Sequence, residues 1–226
     1  MALLDFKCTI CDGDTFVLVK DNTTKRCECY EQDLNIRRIK ASGLEAMLAI
    51  YTFDKFNANH NWQKHIKTKA IEFANSPSDW FYIGGQSGSG KTHLCTAIAG
   101  ELLKTKRLRY MLWRDDAVKL KSYVNDAVEY KKLIEPLKTC TVLYIDDFLK
   151  TGNNGMTTGD INIAFEILNY RYNNPELVTI ISSEYLLAEI IRIDEAIAGR
   201  IKERCKDYCF EIGKDVKKNY RLNGEI

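Results

Sequence analysis

The octapeptide Gly85-Gln86-Ser87-Gly88-Ser89-Gly90-Lys91-Thr92 constrains this chain more than any other segment, because it fits G-x-x-x-x-G-K-[ST] without deviation. Its glycines let the backbone turn tightly and aim successive N–H groups at one anion. Lys91 is placed to reach β- and γ-phosphates, and the Thr92 hydroxyl to ligate magnesium. The apolar run Trp80–Ile83 precedes the loop, and Leu94, Ile98 and Leu102 mark the buried face of a helix after it. Strand, loop and helix N-terminus in that order make an anion site, so Gly85 through His93 is the expected nucleotide-binding segment for ATP.

A second motif supports the first. Val142-Leu143-Tyr144-Ile145 is an apolar run that ends in Asp146-Asp147. A strand of that kind places Asp146 at the mouth of a sheet, where it can hold Mg2+ together with Thr92. An isolated pair of aspartates is more often a turn or a helix cap; beside the loop it reads as the metal-binding half of the site. Tyr110–Trp113 and Val178–Ile181 are further candidate strands, and Ile161, Phe165, Leu168 and Tyr172 line one side of an intervening helix. Strands alternating with helical patterns predict an α/β fold, a parallel sheet with helices on both faces.

Upstream of this core the chain changes character. Four of its eight cysteines, Cys8, Cys11, Cys27 and Cys29, fall in the first 30 residues. Asp12-Gly13 is a turn signal, and Thr15–Lys20 is a short β-type run between the two cysteine pairs. Two tight turns offering four thiolates suit tetrahedral zinc, with reduced free thiols as the alternative. A unit of about 35 residues buries too little apolar surface to hold itself, which a structural Zn2+ would remedy. Cys205 and Cys209 read as packing residues. The expected division is 1–40 for the cysteine-rich unit and 41–78 for a helical linker opening with Ser42-Gly43. Within that linker Trp62, Ile66, Ala70 and Phe73 share one stripe; 79–226 is the expected nucleotide-binding domain.

Composition adds exclusions. No run of 18 apolar residues occurs, and the start MALLDFKCTICDGD lacks a basic region followed by a long apolar stretch. Neither a signal peptide nor a membrane span is expected, and the expected location is cytoplasmic. The net charge is only +2, but 102–138 holds ten Lys/Arg against five Asp/Glu, and 199–226 eight against five. Such segments serve either as solvated helix faces or as surfaces for phosphates.

With Gly85–Thr92, Asp146-Asp147, Thr52-Phe53-Asp54-Lys55-Phe56 and the tail Ala198-Gly199-Arg200-Ile201-Lys202-Glu203-Arg204 in view, the chain resembles DnaC/DnaI-type replicative helicase loaders. These are AAA+ ATPases, with IstB-like relatives. The resemblance covers nearly the whole chain and implies an AAA+ P-loop sheet that binds ATP-Mg and single-stranded DNA. It also implies a cysteine-rich N-terminal part gripping a replicative helicase hexamer, self-assembly on ATP or DNA, and slow, DNA- or assembly-stimulated hydrolysis. Asp147 would polarise the attacking water, where many AAA+ relatives carry Glu. Arg204, with Arg200 one turn earlier, matches an arginine that reaches a neighbouring subunit's ATP, a contribution of about 10³–10⁵ in rate in other NTPases. Arg221 resembles a sensor-two arginine acting in cis. At sensor one the chain departs from its relatives: Ser182-Ser183-Glu184 brings Glu where they present Asn, leaving Ser183 as the candidate. Thr52–Phe56 would lie against adenine, although its residue types also suit a core.

Other readings remain. An IstB-type transposition helper would share the ATPase core, and a small-molecule kinase uses the same loop. A kinase predicts an Arg-rich lid over an acceptor pocket, which the Arg204–Arg221 spacing and the double Asp fit less well. Single strands could be held by Lys106, Arg107, Arg109, Tyr110, Trp113 and Arg114, yet Tyr110–Trp113 also reads as a buried strand.

Overall fold

The structure, a computed structural model, describes residues 8–19, 23–41, 43–152 and 155–223. Lys20 of the expected β-run, Ser42, and the first seven and last three residues of the chain lie outside them.

The small N-terminal unit pairs β1 (Phe16–Leu18) antiparallel to β2 (Thr24–Arg26), with Phe16 opposite Arg26. The two cysteine pairs flank this ribbon, one before and one after. Helices α1 (Tyr30–Ala41), α2 (Leu44–Ile50) and α3 (Asn61–Asn75) follow. Ile66, Ala70 and Phe73 of α3 are buried as their helical spacing predicts. Together with Leu44 and Phe56 they join the same core as the first face of the sheet, so the 41–78 stretch is packed as part of the nucleotide-binding core.

The sheet has five parallel strands in the order β4 (Leu108–Leu112), β5 (Val142–Phe148), β6 (Val178–Ser183), β3 (Trp80–Gly85), β7 (Cys209–Ile212). Every residue of β3 and β6 is buried, as expected for central strands covered on both faces. The period of two then sorts side chains. Phe81 and Ile83 meet α3 and α4 (Lys91–Leu103), whereas Trp80 and Tyr82 meet the second core. That second core is built with α5 (Trp113–Ser122), α6 (Ala127–Thr139), α7 (Thr158–Tyr172), α8 (Leu187–Ile193) and α9 (Glu195–Cys205). Asp126, Thr157 and Asp194 cap α6, α7 and α9 by accepting backbone N–H groups, which explains where those helices begin.

The observed strands extend the expected ones. β3 runs on to Gly85 and β5 to Phe148, so both glycines and both aspartates stand at the C-terminal edge of the sheet. Trp113 is not a strand residue: β4 stops at Leu112, and Trp113 opens α5, fully buried against Phe148. Cys205 closes α9 and Cys209 opens β7, a strand that periodicity did not disclose because it is only four residues long. A short α10 (Tyr220–Asn223) ends the described chain. Among the described residues no helix is long and apolar enough to cross a membrane.

Candidate functional site

The phosphate loop closes onto its own sheet. Gly85 has φ +108, and a Cβ there would collide with the Ile212 carbonyl, so only glycine lets β3 pass β7 this closely. At Gly90, φ +86, a Cβ would stand 2.7 Å from the Phe56 ring. Between them Ser89 Oγ donates to the Gln86 carbonyl at 2.7 Å. Lys91 Nζ donates to the carbonyls of Gly85 (2.9 Å) and Gln86 (2.7 Å), and burial pulls its pKa below the usual lysine range.

The aspartate of β5 is held from three sides. Asp146 is buried; its Oδ1 accepts from Thr92 Oγ1 at 3.1 Å and from Ser182 Oγ, and its Oδ2 accepts from Tyr110 OH at 3.3 Å. A hydroxyl and a carboxylate already in contact are the donor set that magnesium takes beside a nucleotide, so Thr92 and Asp146 fit Mg2+. Burial and the neighbouring Asp146 push the Tyr110 phenol far above its ordinary value, which keeps it a donor to that carboxylate. Asp147 stands at φ +54 at the mouth of the cleft, donates its N–H to Ser182 Oγ at 3.1 Å and directs its carboxylate to Lys150 Nζ at 3.1 Å.

A cleft of about 710 Å³ opens from these groups and takes in Ser87, Gly88, Gly90, Lys91, Thr92, His93, Asp147 and Arg221. Its other wall is the segment after α2. His93 Nε2 bonds the Thr52 carbonyl at 2.8 Å and its ring packs on Tyr51 (4.9 Å) and edge-on to Phe56 (5.2 Å). Burial lowers the His93 pKa. Tyr220 closes the rim by donating its hydroxyl to the Asn57 carbonyl at 2.6 Å and its N–H to the Gly88 carbonyl at 2.9 Å. Arg221, exposed on α10, lies at this rim.

Three expectations need correction. Ser183 does not face the phosphates. It is fully buried, donates to the Phe148 carbonyl at 2.9 Å and accepts the Tyr185 N–H at 3.1 Å. One residue earlier, on the other face of β6, Ser182 makes the contacts to Asp146 and Asp147. Nor does Arg204 stand free at the surface, where reaching a neighbouring subunit's ATP would require it. Its guanidinium is buried, donates to the carbonyls of Arg171 (3.3 Å), Tyr172 (3.0 Å) and Pro175 (2.9 Å), and stacks over Trp80 at 5.3 Å. Arg200 is the half-buried one: it donates to Asn169 Oδ1 at 2.8 Å and lies over Phe165. The basic and aromatic set around β4 also separates. Tyr110 and Trp113 are committed to the site and the core, and Lys106 and Arg107 precede the strand that Arg114 follows, about 17 Å away at the usual rise.

The four N-terminal cysteines do converge. Their sulfurs lie within 4.8 Å of one another and all four residues are buried, with Cys8 to Cys27 at 3.7 Å and Cys11 to Cys29 at 3.4 Å. The backbone N–H groups of Ile10 and then Cys11 bring the Cys8 thiol down to about 7, whereas burial pushes Cys29 up. A closed all-sulfur set fits a structural zinc ion.

Lys150 was missed by sequence reasoning, and Glu184 entered it only as a departure at sensor one. Both line the cleft, and Lys150 Nζ reaches Glu184 Oε1 at 3.0 Å. The signal was weak: a lysine four positions after Asp146 shows its direction only once the turn is known.

The family model described as "IstB-like ATP binding protein" matches residues 16–223. The chain is 32% identical over 227 residues to the uncharacterized protein YqaM of Bacillus subtilis (strain 168), covering 94% of this chain and 71% of that one. Its fold is similar to the crystal structure of DnaI, with a TM-score of 0.59 at 22% identity over 74% of this chain and 92% of that chain. It is also similar to that of the DnaC helicase loader, with a TM-score of 0.56 at 21% identity over 73% and 97%. The chain belongs to the IstB-like ATP-binding protein family, with the AAA+ P-loop fold of an ATPase.

Proposed function

We propose that this protein is an ATP-dependent loader that delivers a replicative helicase hexamer to single-stranded DNA during replication initiation. The observation that carries the reading is the pairing of an ATP-binding cleft with a cysteine unit whose described residues do not line it. That unit leaves Ile10 (65% exposed), Phe16 (44%) and Leu18 (72%) outward, an apolar surface of the kind a partner protein covers. Helicase loading needs both: a handle for the helicase and a nucleotide-controlled body.

In this reading Lys91 and the loop N–H groups bind the phosphates, Thr92 and Asp146 hold Mg2+, and Asp147 orients the attacking water. Magnesium supplies charge neutralisation between the phosphates; the protein's own residues supply position. Arg221 contacts nucleotide in cis, and Arg200 takes the trans role in an ATP- or DNA-induced assembly. Cys8, Cys11, Cys27 and Cys29 hold zinc and keep the handle folded. The protein acts in the cytoplasm, and its hydrolysis is slow until DNA or a neighbour completes the site.

The test is capture of the hexameric replicative helicase of the same cell by the tagged full chain, with and without ATP. Recovery that is lost on converting Cys8 and Cys11 to Ser supports the loader. The family match favours one second reading, an IstB-type transposition helper; it predicts retention of a transposase and no helicase.

A further inference from the structure

Sensor one in this chain is an anion, since Glu184 follows β6 where the resemblance calls for a neutral amide. Beside it Asp147 supplies a second carboxylate, and both border the pocket that would receive the most highly charged end of ATP. Two carboxylates at that end add to the negative charge that Lys91 and Mg2+ must offset, and a further cation beside them would balance it.

The backbone supplies one by a costly path. After Asp146 the regular pairing of β5 with β6 is broken between Ile145 and Phe148. Asp147 (φ +54) and Leu149 (φ +63) both adopt the left-handed conformation, which a buried leucine rarely does. The result is a turn in which Lys150 N–H bonds the Asp147 carbonyl at 2.9 Å and the side chain doubles back over the mouth of the sheet. There Lys150 Nζ sits 3.1 Å from Asp147 Oδ2 and 3.0 Å from Glu184 Oε1. Partial burial opposes its charge, but the two carboxylates more than offset this and hold its pKa above the usual value. Partial burial opposes the charge on Glu184, but Lys150 chiefly, with Ser87 of the phosphate loop, holds its pKa below the usual value.

We propose that Lys150 is the γ-phosphate-contacting cation of this site, fixed between Asp147 and Glu184, and so does in cis what the sensor-one position cannot. The proposal rests on the reading of the cleft as an ATP site. A third phosphate arriving at this end meets an ammonium already oriented by two carboxylates. ADP, which lacks that phosphate, does not reach it. Lys150 therefore separates ATP from ADP as well as stabilising charge on the transferring group.

The experiment compares Lys150→Ala, Lys150→Arg, Glu184→Gln and Lys91→Ala for Mg-ADP affinity, affinity for Mg-ATPγS, steady-state hydrolysis and melting temperature. Expected for Lys150→Ala are ADP binding within about twofold of wild type, ATPγS binding weakened about tenfold and kcat lowered about 10²-fold, with Lys150→Arg recovering much of the discrimination. Glu184→Gln should keep the preference for ATPγS, because Asp147 still orients the lysine. An unchanged ADP-to-ATPγS ratio in Lys150→Ala would overturn the proposal, as would a rise in kcat, which would make Lys150 a brake. Equal loss of both nucleotides with a lowered melting temperature would also overturn it, by making Lys150 a structural residue. Failure of the ATP-site reading shows separately, as undiminished nucleotide binding by Lys91→Ala.

Discussion

Thr92 Oγ1 donates to Asp146 Oδ1 across 3.1 Å, joining residues 54 apart in the chain. The contact links the first turn of α4 to the end of β5, and these are the two groups that share magnesium in the proposed mechanism. Because Ser182 and Tyr110 fix the same carboxylate, its position does not depend on the metal.

Asp146→Asn should therefore preserve the fold and separate binding from chemistry. The amide keeps the size of the side chain but removes the charge that magnesium requires. Nucleotide affinity should lose its Mg2+ dependence, and kcat should fall by about 10²-fold or more. Isothermal titration with and without Mg2+, beside a phosphate-release assay, checks this.

Arg204 and Arg200 should behave oppositely. Arg204→Ala leaves the carbonyls of Arg171, Tyr172 and Pro175 without their buried donor and should cost about 2–4 kcal/mol of stability. Arg200→Ala should cost about 1 kcal/mol or less while reducing hydrolysis only where subunits meet. Urea unfolding paired with hydrolysis at low and high protein concentration distinguishes the two.

The cysteine unit should carry one zinc per chain and lose it to acid. All four thiols must give up their protons to hold the metal, so apparent zinc affinity should fall steadily as pH falls. Metal release followed with a chromogenic chelator between pH 8 and 5 gives the profile. Cys8→Ser should release zinc at higher pH than wild type does.

Much of this site was legible because it is local. The glycine loop, the strand before it and the helix after it are contiguous, and the apolar run ending in Asp146-Asp147 announces a strand edge. What sequence reasoning misplaced depends on parity and depth. Ser182 and Ser183 differ by one residue, and a strand turns adjacent side chains to opposite faces, so an error of one step exchanged a site residue for a core residue. Arg200 and Arg204 share a helix face by spacing, yet the last turn of α9 is covered by the connection from α7 to β6, and only tertiary packing shows this. Lys150 reaches the cleft through two left-handed residues that no periodicity reveals.

The central claim, that nucleotide at this site controls helicase delivery, is tested most directly by loading on circular single-stranded DNA. Helicase bound to the circle would be quantified with ATP for wild type and for Lys91→Ala. The account predicts deposition by wild type with ATP and a return to the loader-free level with Lys91→Ala. Equal deposition by both proteins, or none by wild type above the loader-free level, would contradict it.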